Sequence, residues 1–359
     1  MTHRERLVAT IVGGPLDRPA LPYWLGFTPW ERTLARWRQE SGIVDLDVPT
    51  WFGLDPWFAG APLRYGPHPA FDPRVLDEDA VHVTVLDTQG IVRRNRRDGE
   101  SMPEWIAHPV SSAEDWARYR AERLAGSVED RCVDLEAFAA RTAAEGLAVQ
   151  VGDFPWGAFG TLRDLVGAER CLLWFYDEPD LVRDIVGTNI GLWIELYRKV
   201  AVQVPIDHLH IWEDMSGRQG SLISMAMVEE FLMPAYDRIH SFARETGVPI
   251  VSVDTDGDCT ELVEVMTRHG INAFMPFEVQ AGNDVLAFRA RYPRLGIMGG
   301  LDKGALAAGG PRLHRELDKA GRMLASGAWL PGFDHAIPPD VPWESFRYAM
   351  TELVRLARG

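Results

Sequence analysis

His208-Leu-His-Ile-Trp-Glu-Asp214 is a short run, largely apolar, with histidines at alternate positions and two acids at its end. The same form recurs along the chain. Ala148-Val-Gln-Val-Gly-Asp153 precedes it, and Val251-Ser-Val-Asp254-Thr-Asp256-Gly257, Ala273-Phe-Met-Pro-Phe-Glu278, Gly296-Ile-Met-Gly-Gly-Leu-Asp302-Lys303 and Trp329-Leu-Pro-Gly-Phe-Asp334-His335 follow. Longer amphipathic segments separate these runs, the alternation that predicts βα units around a parallel sheet. If each run is a strand, its acids lie at the carboxyl end, and all of them share one rim. That rim is where α/β sheets and βα barrels place their chemistry.

Counting outward gives strand candidates near residues 20, 82, 148, 208, 250, 273, 296 and 329. The one near 82 alternates by twos (Val81-His-Val-Thr-Val-Leu86) and turns at Asp87-Thr-Gln-Gly90, which reads as a hairpin, so a further strand is expected within residues 41–60. The predicted fold is a (β/α)8 barrel forming one domain over residues 1–359. It carries an N-terminal helical extension and a β-hairpin excursion over about 49–109. An open doubly wound sheet is the rival, but the first strand lacks the glycine-rich phosphate turn such folds usually carry. Residues 113–145 are expected to be helical, and helices are expected over 162–175, 179–202, about 227–246 and about 304–326.

Bulk properties bound the function. The 359 residues are 46% hydrophobic and 25% charged, ordinary for a globular protein. No run reaches the ~18 apolar residues of a membrane span, and the N-terminus reads as a helix without a signal-type apolar core, so a cytoplasmic protein is expected. A formal charge of -15 argues against a nucleic-acid partner. Cys132, Cys171 and Cys259 are too far apart for a CxxC pair, and Cys259, near a predicted helix N-terminus, should have a lowered pKa.

On a strand, residues two apart share a face. Asp254 and Asp256 can therefore point together, and as a close carboxylate pair they need a proton, a cation or a metal. The alternative is that both cap the following helix. His208 and His210 share a face as well. With Asp254, Asp256 and Glu278 they could form a nitrogen and oxygen site for zinc or a harder ion, or one could be a hydrogen-bonded core residue. Only one of Glu213 and Asp214 can aim inward from a regular strand. Asp334-His335 offers an acid beside a titratable base, and Lys303 reads as an amine or an ion-pair partner. Trp51, Trp57 and Phe58 could wall a pocket or pack a Pro-rich loop. Arg93, Arg94, Arg96 and Arg97 form a basic patch on the hairpin.

These segments together resemble the uroporphyrinogen decarboxylase superfamily, in particular its corrinoid-linked methyltransferase branch. The resemblance rests on Arg4-Glu-Arg-Leu with Asp17-Arg18-Pro19, Asp87-x-x-Gly90 with the Pro109–Trp116 segment, and Gly160-Thr-Leu-Arg-Asp164. It continues through His210-Ile-Trp-Glu-Asp214 with Leu222-Ile-Ser224, Val253-Asp-Thr-Asp-Gly257, Gly299-Gly-Leu-Asp302-Lys303, and Pro331-Gly-Phe-Asp-His335 with Pro338-Pro-Asp340-Val. It implies a (β/α)8 barrel with its site at the strand carboxyl ends. The decarboxylase's arginine-bearing N-terminal run is replaced here by Tyr23-Trp-Leu-Gly-Phe-Thr-Pro-Trp30, so an acidic rim would face a polycarboxylate without cations. The His-x-Cys and later Cys of the zinc-dependent coenzyme M methyltransferases fall at Asp254, Asp256 and near Asp334, which does not support thiolate zinc chemistry.

What the resemblance then implies is methyl transfer from a small ether or amine to a corrinoid carried on a partner protein. Catalysis is expected from Asp254, Asp256, Asp334 and His335. Substrate contacts are expected from Trp24, Asp153, His210, Glu213, Asp214, Glu278 and Asp302, and a zinc site, if present, from His210, Asp254, Asp256 and Glu278. Members of the superfamily often form homodimers. A decarboxylase and a non-catalytic barrel that binds a corrinoid or a cationic ligand are the alternatives.

Overall fold

The computed structural model describes residues 1–99 and 102–359. Seven short parallel strands form a curled sheet in the order Ala59–Gly60, Val149–Val151, His208–Trp212, Ile250–Asp254, Ala273–Met275, Gly296–Met298 and Trp329–Leu330. Spatial order follows chain order, as successive βα units require. The strands from Val149 onward are almost wholly buried, because helices cover the outer face and side chains fill the inner one. The first strand, Ala59–Gly60, comes from the 41–60 stretch, where a further strand is expected.

Residues 20–26 lie between the two edges of this sheet. On one side Pro22 bridges Asp55 in parallel, with Tyr23 N–H donating to the Asp55 carbonyl at 3.1 Å and Asp55 N–H to that of Leu21 at 2.9 Å. On the other, Phe333 N–H donates to the Gly26 carbonyl at 3.1 Å and the Trp24 indole to that of Pro331 at 2.9 Å. Pro19 and Pro22 lack N–H donors, which keeps this segment to isolated bridges instead of a ladder.

The N-terminal helix His3–Val12 opens with a capping box between Thr2 and Glu5 and buries Leu7 and Ile11. It packs on the strands Ile250–Asp254, Gly296–Met298 and Trp329–Leu330. A Cβ on Gly296 would stand 3.0 Å from Ile11, so this close crossing needs glycine.

The excursion holds more strand than the sequence suggested. Four antiparallel strands, Arg74–Glu78, His82–Leu86, Val92–Arg96 and Glu104–Ala107, extend the expected hairpin on both sides. Its basic patch is internally paired: Arg93 with Asp87, Arg94 with Asp79, Arg96 with Asp98 and Arg97 with Glu78.

Three expected helical segments are interrupted, each for a local reason. The 113–145 segment splits into Ala113–Tyr119, a wide turn Arg120–Leu124, and Leu135–Glu145. Between them the buried Arg131 guanidinium donates to the carbonyls of Arg64, Gly66 and Arg123, fixing an irregular chain that periodicity alone cannot show. The 162–175 segment breaks at Gly167, whose φ of 89° brings it against His108, giving Ala158–Val166 and Ala168–Asp177. The 304–326 segment breaks at Gly309-Gly310, both at positive φ, giving Lys303–Ala308 and Gly310–Ser326. The 179–202 segment is the continuous helix Pro179–Ala201. The 227–246 segment begins as a wide turn, Val228–Leu232, and continues as the helix Met233–Thr246. Among the described residues, no helix is long and apolar enough to cross a membrane.

Candidate active site at the strand carboxyl ends

A cavity of about 440 Å³ opens at the carboxyl ends of the strands. Asp254 and Asp256 stand on one side of it. Asp254 closes its strand, and the alternation places both carboxyls on the cavity while Thr255 between them is buried. Thr255 pins the turn: its N–H donates to the Met275 carbonyl at 3.0 Å and its hydroxyl accepts from Met215 N–H at 3.1 Å. Gly257, at φ 74°, completes the turn where a Cβ would meet the Ser216–Gly217 backbone at 2.5–2.6 Å. Each acid has a histidine nearby. His210 Nε2 lies 3.8 Å from Asp254, and His335 Nε2 lies 3.9 Å from Asp256.

Burial dominates the electrostatics. It pushes the Asp254 carboxyl well above the ordinary carboxylate range, with Asp256 and Asp214 adding repulsion. Asp256 is raised to about 7 by burial and by Glu278 and Asp214, against the opposing Lys303 ammonium. His210 is lowered to about 4 by burial alone, so it is neutral at pH 7. Its Nδ1 meets the Ser252 hydroxyl at 3.1 Å, and the same hydroxyl meets His208 Nε2 at 2.6 Å. His208 is fully buried against Phe58 and belongs to the core, while His210 lines the cavity.

The rim acids divide by what they accept. Glu213 is fully buried and turned from the cavity. It accepts from Ala158, Phe159 and Gly160 N–H at 2.8, 2.6 and 3.0 Å and from the Tyr236 hydroxyl at 2.5 Å, so it seats the N-terminus of the helix Ala158–Val166. Asp334, also buried, accepts from Val279 and Lys303 N–H at 2.8 and 3.0 Å and joins two loops. Asp302 caps the helix Lys303–Ala308 through Gly304 N–H and pairs with Arg312 at 2.7 Å, which holds its pKa down. These three stand behind the rim and do not line the cavity.

Asp214 does line it, at a positive φ of 42°, where the strand has ended. Of the two neighbouring acids only Asp214 reaches the cavity, as strand alternation expects. Arg163 holds Asp214 at 3.0 Å and lies over the Trp212 ring. Asp153 lines the cavity with its pKa raised by burial. Glu278 accepts from Gly257 N–H at 3.0 Å and from Lys303 at 3.3 Å. Lys303 is therefore an ion-pair partner, and Glu278 braces the acid turn from behind.

The four residues expected to share zinc do not converge. Among the described residues no three His, Cys, Asp or Glu side chains are grouped closely enough to hold a metal ion. Glu278 already has an ammonium partner. Cys259 also departs from expectation: burial raises its pKa, outweighing its position at the start of the helix Thr260–Met266.

Aromatic rings form much of the remaining wall. Trp24 stacks on Trp57 with ring centres 5.7 Å apart, and Phe154 meets Trp212 edge-on at 4.8 Å. Trp212 was legible, since it continues the 208, 210, 212 alternation. Gln150 follows the same rule on the neighbouring strand and also lines the cavity. Phe154 and Met275 carried no comparable signal. Of the aromatics Trp51, Trp57 and Phe58, Trp57 lines the cavity, Phe58 packs on His208, and Trp51 lies against Trp343.

No family profile and no curated protein sequence matches the chain. Among solved structures, it is similar to a methyltransferase from Methanosarcina mazei, with a TM-score of 0.58 and 17% identity over 99% of this chain and 98% of that one. At that identity the likeness shows a common fold.

Proposed function

We propose that the chain is a (β/α)8 barrel of the uroporphyrinogen decarboxylase superfamily, with residues 20–26 as its eighth stave. We further propose that it transfers a methyl group from a small ether or amine to a corrinoid presented by a partner protein, in the cytoplasm. The observation that carries the reading is the paired Asp254 and Asp256 facing an aromatic-walled cavity at the strand carboxyl ends. The similarity in fold to a methyltransferase supports it.

Methyl transfer to a strong nucleophile needs a leaving atom that departs without a costly charge. A carboxyl kept protonated at neutral pH can hydrogen-bond to a leaving oxygen and give it a proton. Asp254 has the burial for that task. Carboxylates beside aromatic faces can also hold an ammonium nitrogen, whose departure as a neutral amine requires no proton. The corrinoid acceptor supplies the nucleophile. This chain supplies a pocket that positions the donor, excludes water through its tryptophans and sets the charge beside the leaving atom.

A porphyrinogen carboxy-lyase reading fits poorly. Four aspartates line the cavity, and among the described residues no lysine or arginine lines it to receive a polycarboxylate. The experiment is a methyl-exchange assay with a reduced corrinoid protein and a panel of methyl ethers and methylamines. Transfer from at least one donor supports the proposal. No transfer, with carbon dioxide release from a porphyrinogen, overturns it.

A further inference from the structure

Resting on the methyl-transfer reading, we infer that the cavity selects a cationic methyl donor, an organic ammonium, over a neutral ether. Two independent features of the wall meet that chemistry. The first is charge: Asp153, Asp214 and Asp256 line the cavity beside the protonated Asp254, and among the described residues no lysine or arginine joins them. The nearest cations are already engaged, Arg163 with Asp214 at 3.0 Å and Lys303 with Glu278 at 3.3 Å. The second is the aromatic surface of Trp24, Trp57, Trp212 and Phe154. Tryptophan is the best of the aromatic side chains for holding a cation over its face, and aromatic cages with flanking acids suit methylated ammonium groups.

The spacing selects the size of the cation. The carboxyls are distributed around a space of about 440 Å³, and among the described residues no three potential ligands are grouped for a metal ion. A diffuse cation with methyl groups fills such a space and touches rings and acids together. Gln150 adds a further acceptor. It is 7% exposed, lines the cavity, and its side-chain carbonyl has no hydrogen-bond partner among the described residues. An ammonium that carries an N–H can donate to it.

The transfer balances without a proton. The carbon–nitrogen bond breaks with both electrons left on nitrogen, which becomes a neutral amine. The electron pair of the reduced corrinoid acceptor forms the new bond to the methyl carbon. The ionised aspartates, Asp256 foremost, serve as counter-charge to the donor while Asp254 stays protonated, and the charge they balance disappears from nitrogen as the methyl leaves.

The test is calorimetric titration of the full chain with tetramethylammonium, with choline, and with the neutral isostere of choline in which a tert-butyl group replaces the trimethylammonium. Choline should bind at least about tenfold tighter than the isostere. Asp256→Asn and Trp57→Leu, checked for fold by circular dichroism, should each weaken choline more than the isostere. Equal or tighter binding of the isostere, or no saturable binding of either ammonium, overturns the inference. Methyl transfer to a reduced corrinoid protein separates this inference from the reading it rests on. Transfer from anisole but not from tetramethylammonium removes the cation selectivity and keeps the methyltransferase. Selective ammonium binding without transfer from any donor keeps the selectivity and removes the methyltransferase.

Discussion

Glu213 and Asp254 sit on adjacent strand ends, both acidic, one fully buried and the other partly open to the cavity, and they belong to different parts of the molecule's chemistry. Four donors surround the Glu213 carboxyl, three of them the first amides of a helix. Asp254 has a histidine nitrogen 3.8 Å away and faces a cavity. Asp302 and Asp334 side with Glu213, because backbone amides take up their oxygens. Asp256 sides with Asp254. A carboxyl whose lone pairs are occupied by backbone holds the fold. One whose charge is left uncompensated is available to a ligand or a proton.

Breaking the first group should cost stability. Glu213→Ala strands three helix amides and the Tyr236 hydroxyl, and should lower unfolding free energy by about 3–5 kcal/mol in denaturant titration. Breaking the second should cost turnover. Asp254→Asn, which removes the protonated carboxyl, should lower methyl transfer from a methyl ether by about 10²-fold or more, with circular dichroism unchanged and no fall in thermal midpoint. A midpoint drop matching that of Glu213→Ala would erase the distinction.

Asp256→Asn sharpens the comparison through pH. In the folded chain Asp256 titrates near 7, above the ordinary 3.8, so the fold binds a proton that the unfolded chain releases. Its contribution is therefore unfavourable above the lower value and grows until pH passes 7. The asparagine variant should gain thermal stability, more at about pH 8 than at about pH 5. In the native protein the same ionisation should strengthen ammonium binding as pH rises through 7, and the variant should lose that rise. The smallest effect is expected at Asp302→Ala, which loses a helix cap and an exposed arginine partner. About 1 kcal/mol of stability should go, with methyl transfer retained.

Much of this arrangement was legible. Repeated apolar runs ending in acids marked the strands, and spacing by two placed Asp254 with Asp256 and His208 with His210. The first strand of the sheet was anticipated only as a gap, because two residues, Ala59–Gly60, carry no periodicity. The helix breaks at Gly167 and Gly309-Gly310 were in plain view as glycines, but periodic apolar residues ran through them. Arg131 gave no sign that it would be buried among carbonyls.

The sequence by itself determined which residues end the strands and which of them share a face, since that follows from a two-residue period within one strand. It could not determine which acids keep their charge for a ligand. That depends on whether a backbone amide from another part of the chain reaches the carboxyl first. Glu213 meets the helix at Ala158, some fifty residues earlier in the chain, Asp334 meets the loop at Val279, and Asp254 meets neither. Only the folded chain brings those amides into range.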